Sequence, residues 1–193
     1  MKKILFINPT INNTVFGKMK MLALPPMGLG VLASRTPEKY RIRIIDENVD
    51  PIDFDTRADL VAVTATTGQA PRAYQIINEF KKRGVPTIMG GIHASVMTEE
   101  AARFADSVAV GEADELWPLI MEDFERGSLQ PLYRAAAFPS IARIPAINRN
   151  VIRVVMPSLR FHRAEMRISK KESSVISAMA IIGKSGTNSK AFR

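Results

Sequence analysis

The chain has 193 residues, 46% of them hydrophobic and 24% charged, which suits one globular core with an appendage. It contains no cysteine, and this excludes disulfides, thiolate zinc sites and any iron–sulfur cluster held through cysteine by this chain. The net charge of +8 is uneven: residues 1–152 carry 18 Lys+Arg against 17 Asp+Glu, while residues 153–193 carry 9 against 2. The basic character therefore belongs to the tail.

No uninterrupted run of 18 apolar residues occurs, so no membrane-spanning helix and no membrane partner are expected. The opening MKKILFINPT is basic and then apolar, like the start of a signal peptide. Asn8-Pro9 cuts its apolar run at about five residues, below the roughly 7–15 of an h-region, so residues 3–7 read as a first strand and a cytoplasmic setting is expected. A polar loop follows. After Pro25-Pro26 the segment MGLGVLASR reads as a helix opening at a proline, with Gly28 and Gly30 allowing close packing. Residues 40–46 (YRIRIID) alternate in period two and predict a less buried strand, whereas 59–64 (DLVAVT) predict a central one.

Residues 70–83 put Ala73, Ile76, Ile77 and Phe80 at helical spacing and stop at Gly84. Next come a strand at 86–89, a helix at 98–104, a strand at 107–110 and a helix at 113–126 ending at Gly127. Five strands, each followed by a long connection, predict an α/β fold: a Rossmann-like five-stranded parallel sheet with helices on both faces. This domain is expected over 1–127. Residues 128–152, with prolines 131, 139 and 145, read as a linker or strap, and 153–193 as an irregular basic C-terminal tail with a helix conceivable over 173–182.

In an open parallel sheet, ligands bind at the carboxyl ends of the strands. Two successive predicted strands here end in glycine, at Gly90-Gly91 and at Gly111-Glu112. A residue without a Cβ there permits positive φ and lets a bulky ligand approach the peptide plane. The strand-end loops are rich in small and hydroxyl residues and poor in nucleophile–base pairs, since the folded portion offers one histidine, His93, with Ser95 too close in sequence for a catalytic triad. Asp46, Glu47, Asp50, Glu112, Asp114 and Glu115 lie near this edge, but their spacing does not single out a magnesium site, and no protein-held metal is expected. A dinucleotide fingerprint is missing too, because the GxG at Gly28 to Gly30 sits about twenty residues past the first strand and inside a predicted helix.

Six segments in order resemble the N-terminal cobalamin-binding domain of cobalamin-dependent radical S-adenosylmethionine proteins: KILFINP at 3–9, LPPMGLGVLAS at 24–34, IIDENVD at 44–50, VAVTATTGQAPRAYQI at 61–76, MGGIHAS at 89–95 and AVGEADELWP at 109–118. The resemblance covers about residues 1–150. It implies a domain that buries the nucleotide tail of cobalamin along the strand ends. By position, Thr64 and Thr66 would contact the tail, Gly90 and Gly91 would let it pass, Ile92, His93 and Ala94 would approach it beside the turn, and Gly111 with Glu112 would close the far side.

Two departures qualify what the resemblance implies. The DxHxxG motif, whose histidine serves as lower axial ligand in the wider family, is absent, because residues 8–26 contain no histidine. The lower face of bound cobalamin is then expected to lack a histidine ligand. Radical-SAM relatives also continue into a barrel whose CxxxCxxC holds a [4Fe–4S] cluster, which a chain without cysteine cannot supply. The expectation is a cobalamin-binding domain lacking the radical-SAM core, not catalytic alone, with a separate radical-SAM catalytic domain as partner and a tail that a truncated or frame-shifted reading would produce. Full-length relatives would be enzymes such as methyltransferases. The alternatives are a small α/β enzyme binding magnesium and a nucleotide in the same crevice, and a nucleic-acid adaptor acting through the basic tail. Outside that last reading no nucleic-acid partner is expected.

Overall fold

A computed structural model describes residues 1–11 and 26–136. The strap beyond 136, the basic tail and the helix expected over 173–182 lie outside the described residues. Apolar runs become strands where both faces can be covered, and here they do: β1 (Lys3–Asn8), β2 (Arg41–Asp46), β3 (Leu60–Thr64), β4 (Thr87–Gly90), β5 (Ser107–Val110) and β6 (Leu132–Arg134) form one sheet in the order β2-β1-β3-β4-β5-β6. Every pairing is parallel. The α/β reading holds, with a sixth strand added. β6 comes from the segment expected to be a strap: its three residues carry no readable periodicity, but Ala109 pairs with Tyr133, and the Tyr133 hydroxyl donates to Asp123 at 2.8 Å.

The helices are α1 (Met27–Arg35), α2 (Ala70–Lys82), α3 (Ile92–Val96), α4 (Thr98–Ala102) and α5 (Ala113–Arg126). Period-two alternation sends successive strand residues to opposite layers. Leu5, Ile7, Val61, Val63 and Met89 pack with α2 and with Ala94 and Ala101 of α3 and α4. Ile4, Phe6, Leu60, Ala62, Ile88 and Ala109 pack with α1 and α5. Trp117 anchors this second layer: its ring lies 5.2 Å from that of Phe6, and its indole N–H donates to the Thr36 hydroxyl at 2.8 Å, so α5 is fixed to both the sheet and the end of α1.

The β2–β3 connection has no helix and is held by side chains instead. The guanidinium of Arg83 at the end of α2 donates to the carbonyls of Phe54, Asp55 and Thr56, while Phe54 packs on Phe80 with ring centroids 5.8 Å apart.

Candidate functional site

The carboxyl ends of β3, β4 and β5 open into a cleft of about 200 Å³ between α1 and α5. Its floor consists of the smallest residues that the strands provide, Ala62, Gly90 and Ala109, and its walls are Leu29 and Leu32 on one side and Trp117 and Ile120 on the other. Small side chains at the ends of central strands leave the volume that larger ones would fill. Thr64, Glu112 and Asp114 supply polar groups at its margin.

The Gly90-Gly91 turn is clamped to β3. Ala65 N–H donates to the Gly90 carbonyl at 3.1 Å, and His93 N–H donates to the Ala65 carbonyl at 3.0 Å. A Cβ on Gly91, at φ +92°, would stand 2.7 Å from Thr64 Oγ1 and 2.9 Å from Ala65 N, closer than real Cβ contacts come. Positive φ is thus required at Gly91 alone of this pair; Gly90 is not among the positive-φ glycines and does not use the freedom that its lack of a Cβ permits. Ser95 joins this turn to the next one, because its hydroxyl donates to the Gly91 carbonyl at 3.1 Å and accepts from Gly111 N–H at 3.0 Å.

Of the nine residues singled out in the sequence, Thr64, Gly90, Gly91, Gly111 and Glu112 line the cleft. Thr66 and Ile92 are exposed at the same strand-end edge. Ala94 is buried in the α2 layer, on the other side of the sheet. His93, 3% exposed, also turns to that layer: its Nε2 lies 2.7 Å from the Tyr74 hydroxyl, whose proton goes to Glu100 at 3.0 Å. A carboxylate only accepts, so in this chain of bonds His93 Nε2–H donates to tyrosine and its Nδ1 faces the Thr67 hydroxyl at 3.5 Å. Burial, and then the Glu100 hydrogen bond, push Tyr74 up to about 12.

Two of the strand-edge acids, Asp46 and Glu47, are engaged away from the cleft. Glu47 takes a two-nitrogen grip from Arg72, with Nε at 2.9 Å and Nη2 at 2.5 Å, and also accepts from Thr10 N–H at 3.0 Å. Asp46 accepts from Asn8 and Asn48. Gln69 ties the β3 loop to the β1 loop, accepting from Thr66 N–H and Oγ1 and donating to Asn8 Oδ1 and the Pro9 carbonyl. Among the described residues no group of three potential ligands is arranged to hold a metal ion. Nor is any helix among them long and apolar enough to cross a membrane.

Sequence reasoning missed the α1 wall, Trp117, Ser95 and the role of Gln69. The α1 wall was legible as a glycine-rich helix, but which layer it joins depends on topology.

The strand order and the glycine-turned, apolar cleft define a doubly wound domain with a crevice at the strand ends, the place where open parallel sheets commonly bind ligands. The chain belongs to the B12 binding domain family, whose sequence model matches residues 22–120. It is similar to the bacteriochlorophyllide d C-8(2)-methyltransferase of Chlorobaculum tepidum, 42% identical over 123 residues, which is 63% of this chain and 27% of that protein. A second relative, the bacteriochlorophyllide d C-12(1)-methyltransferase of the same organism, is 28% identical over 138 residues, 70% of this chain and 30% of that protein. An uncharacterized methyltransferase of Synechocystis sp. is 27% identical over 130 residues, 65% of this chain and 24% of that protein. The matches thus span less than a third of the length of these relatives.

Proposed function

We propose that this chain holds cobalamin with its nucleotide tail in the cleft between α1 and α5. The observation that carries the reading is the cleft itself, apolar, floored by small residues, and built within the segment that the B12 binding domain matches. It has room for an aromatic ring: about 200 Å³ exceeds the roughly 150 Å³ of an apolar cavity that admits benzene. Thr64, Gly90, Gly91, Gly111 and Glu112 would contact the tail directly. Thr66 and Ile92 would meet the part of the ligand outside the cleft, while His93 and Ala94 would act by holding the Gly90-Gly91 turn from behind. When bound, cobalamin supplies group-transfer chemistry that the protein side chains lack.

The names of the relatives support methyl transfer as the reaction of the whole protein. A radical-SAM catalytic domain as partner rests on the sequence resemblance alone. The experiment is reconstitution with hydroxocobalamin followed by gel filtration, in which the colour is expected to co-elute with protein; colour that elutes only with free cofactor sinks the reading.

A lower axial position without histidine belongs to the same proposal. The one histidine among the described residues, His93, has its ring engaged by Tyr74 on the opposite side of the sheet from the cleft. The electron paramagnetic resonance spectrum of the Co(II) form is expected to lack nitrogen splitting from a protein imidazole. Splitting that responds to ¹⁵N-histidine labelling would count against it.

A further inference from the structure

At the margin of the cleft, Asp114 keeps one carboxylate oxygen that no group among the described residues hydrogen-bonds. Asp114, the second residue of α5, lines the cleft, and its side chain is only 10% exposed. One carboxylate oxygen, Oδ2, accepts from Arg35 Nη2 at 3.3 Å. The other, Oδ1, is buried and has no hydrogen-bond partner. An unmet buried acceptor is costly, and such atoms are rare in native folds unless a ligand or ion completes them.

A carboxylate oxygen paired with a guanidinium can only accept, so what it selects is an N–H or O–H donor. The rest of the cleft is apolar and aromatic, with Leu29, Leu32, Trp117 and Ile120 as walls. For a base seated against these walls, the match is a flat aromatic ring with a donor on its edge. Neutral dimethylbenzimidazole, the base of cobalamin itself, offers two methyl groups and one ring nitrogen that accepts. A purine amine or a ring hydroxyl offers what the site lacks.

We propose that Asp114 is a specificity residue that reads the base of the nucleotide tail, favouring cobamides whose base carries an exocyclic amine or hydroxyl over dimethylbenzimidazole. The inference rests on the reading that the tail occupies this cleft. A hydrogen bond to a charged group discriminates by roughly tenfold or more in affinity.

The test is titration of the whole chain with adeninyl cobamide, 5-hydroxybenzimidazolyl cobamide, cobalamin and the tail-less cobinamide, read by absorbance. The two donor-bearing cobamides are expected to bind roughly tenfold or more tightly than cobalamin, and all three more tightly than cobinamide. Asp114→Asn keeps an acceptor for Arg35 and puts an N–H₂ donor where Oδ1 stood, so it is expected to erase or reverse the preference. Cobinamide binding as tightly as the complete cobamides sinks the cleft reading itself. Equal affinity for the three complete cobamides, all above cobinamide, leaves that reading standing and overturns the role of Asp114, as does a preference that survives in a folded Asp114→Asn. Should the variant not fold, the wild-type series decides alone.

Discussion

Gly90 and Gly91 are adjacent, both line the cleft, and differ in what they do. Gly91 has no room for a side chain, since its Cβ would press on Thr64 and the Ala65 backbone at a φ of +92°. Gly91→Ala is expected to lose roughly 2–4 kcal/mol of stability in denaturant unfolding, the cost of positive φ with a clash against backbone. Gly90 has ordinary space: its Cβ would meet Ala109 at 3.9 Å. Gly90→Ala is expected to unfold within about 0.5 kcal/mol of wild type while binding cobalamin more weakly, because the methyl group fills the cleft floor. Equal losses of stability for the two variants would contradict this division. At this scale the sequence is half readable. A glycine pair after an apolar run announces a turn, yet nothing in the letters says which glycine is bound by sterics and which by ligand. Asp114 was harder still, because an acid in the first turn of a helix looks like a solvated partner of the helix dipole, and its burial follows from α1 packing over it.

Elements are joined by a few side chains whose partners are distant in sequence. Asp106, just before β5, accepts from Thr87 N–H at 2.9 Å and Thr87 Oγ1 at 2.8 Å, and pairs with Lys81 of α2 at 2.9 Å. Burial raises its pKa, but the Lys81 and Thr87 hydrogen bonds outweigh this and hold the carboxyl below its ordinary 3.8. A depressed folded value means that the contribution is present above 3.8 and is lost as pH falls through the folded value. Asp106→Asn is therefore expected to be less stable than wild type at pH 7, with the gap narrowing on acidification below the ordinary range; a gap constant with pH would refute the linkage. Most elements were legible from periodicity: α2 and α5 appear within a residue of their expected bounds, ending near Gly84 and at Gly127. Short elements were not. α3 has five residues and β6 three, too few to show a period, and both lean on tertiary neighbours, through His93 N–H to the Ala65 carbonyl at 3.0 Å for α3 and the pairing of Tyr133 with Ala109 for β6.

At the scale of the molecule, all three tyrosines are held in the phenol form. Burial is the leading cause in each, raising Tyr40 and bringing Tyr74 and Tyr133 to about 12 from an ordinary value of 10.0. The folded state thus keeps protons that the unfolded chain releases near 10, so stability is undiminished below 10 and falls as pH rises toward 12. Tyrosinate absorbance at 295 nm is expected to appear together with loss of the far-ultraviolet circular dichroism signal, not before it. A full tyrosine titration near 10 in the folded protein would show that these phenols are open to solvent. Ligand linkage acts on the same equilibrium: cobalamin at about 1,000 times its dissociation constant is expected to add about 4 kcal/mol and raise Tm accordingly. The parallel α/β class was legible here because strand–helix alternation with long crossovers admits few other topologies.

The small-residue floor at Ala62, Gly90 and Ala109 also bears on the life of the protein in a cell. Those residues forgo packing that larger side chains would give the folded chain, and a ligand in the cleft restores contacts to them. Quality-control proteases act on the unfolded fraction, and shifts of about 1–2 kcal/mol change abundance several-fold. The steady-state amount of this domain is then expected to rise and fall with corrinoid supply, without any transcriptional sensor.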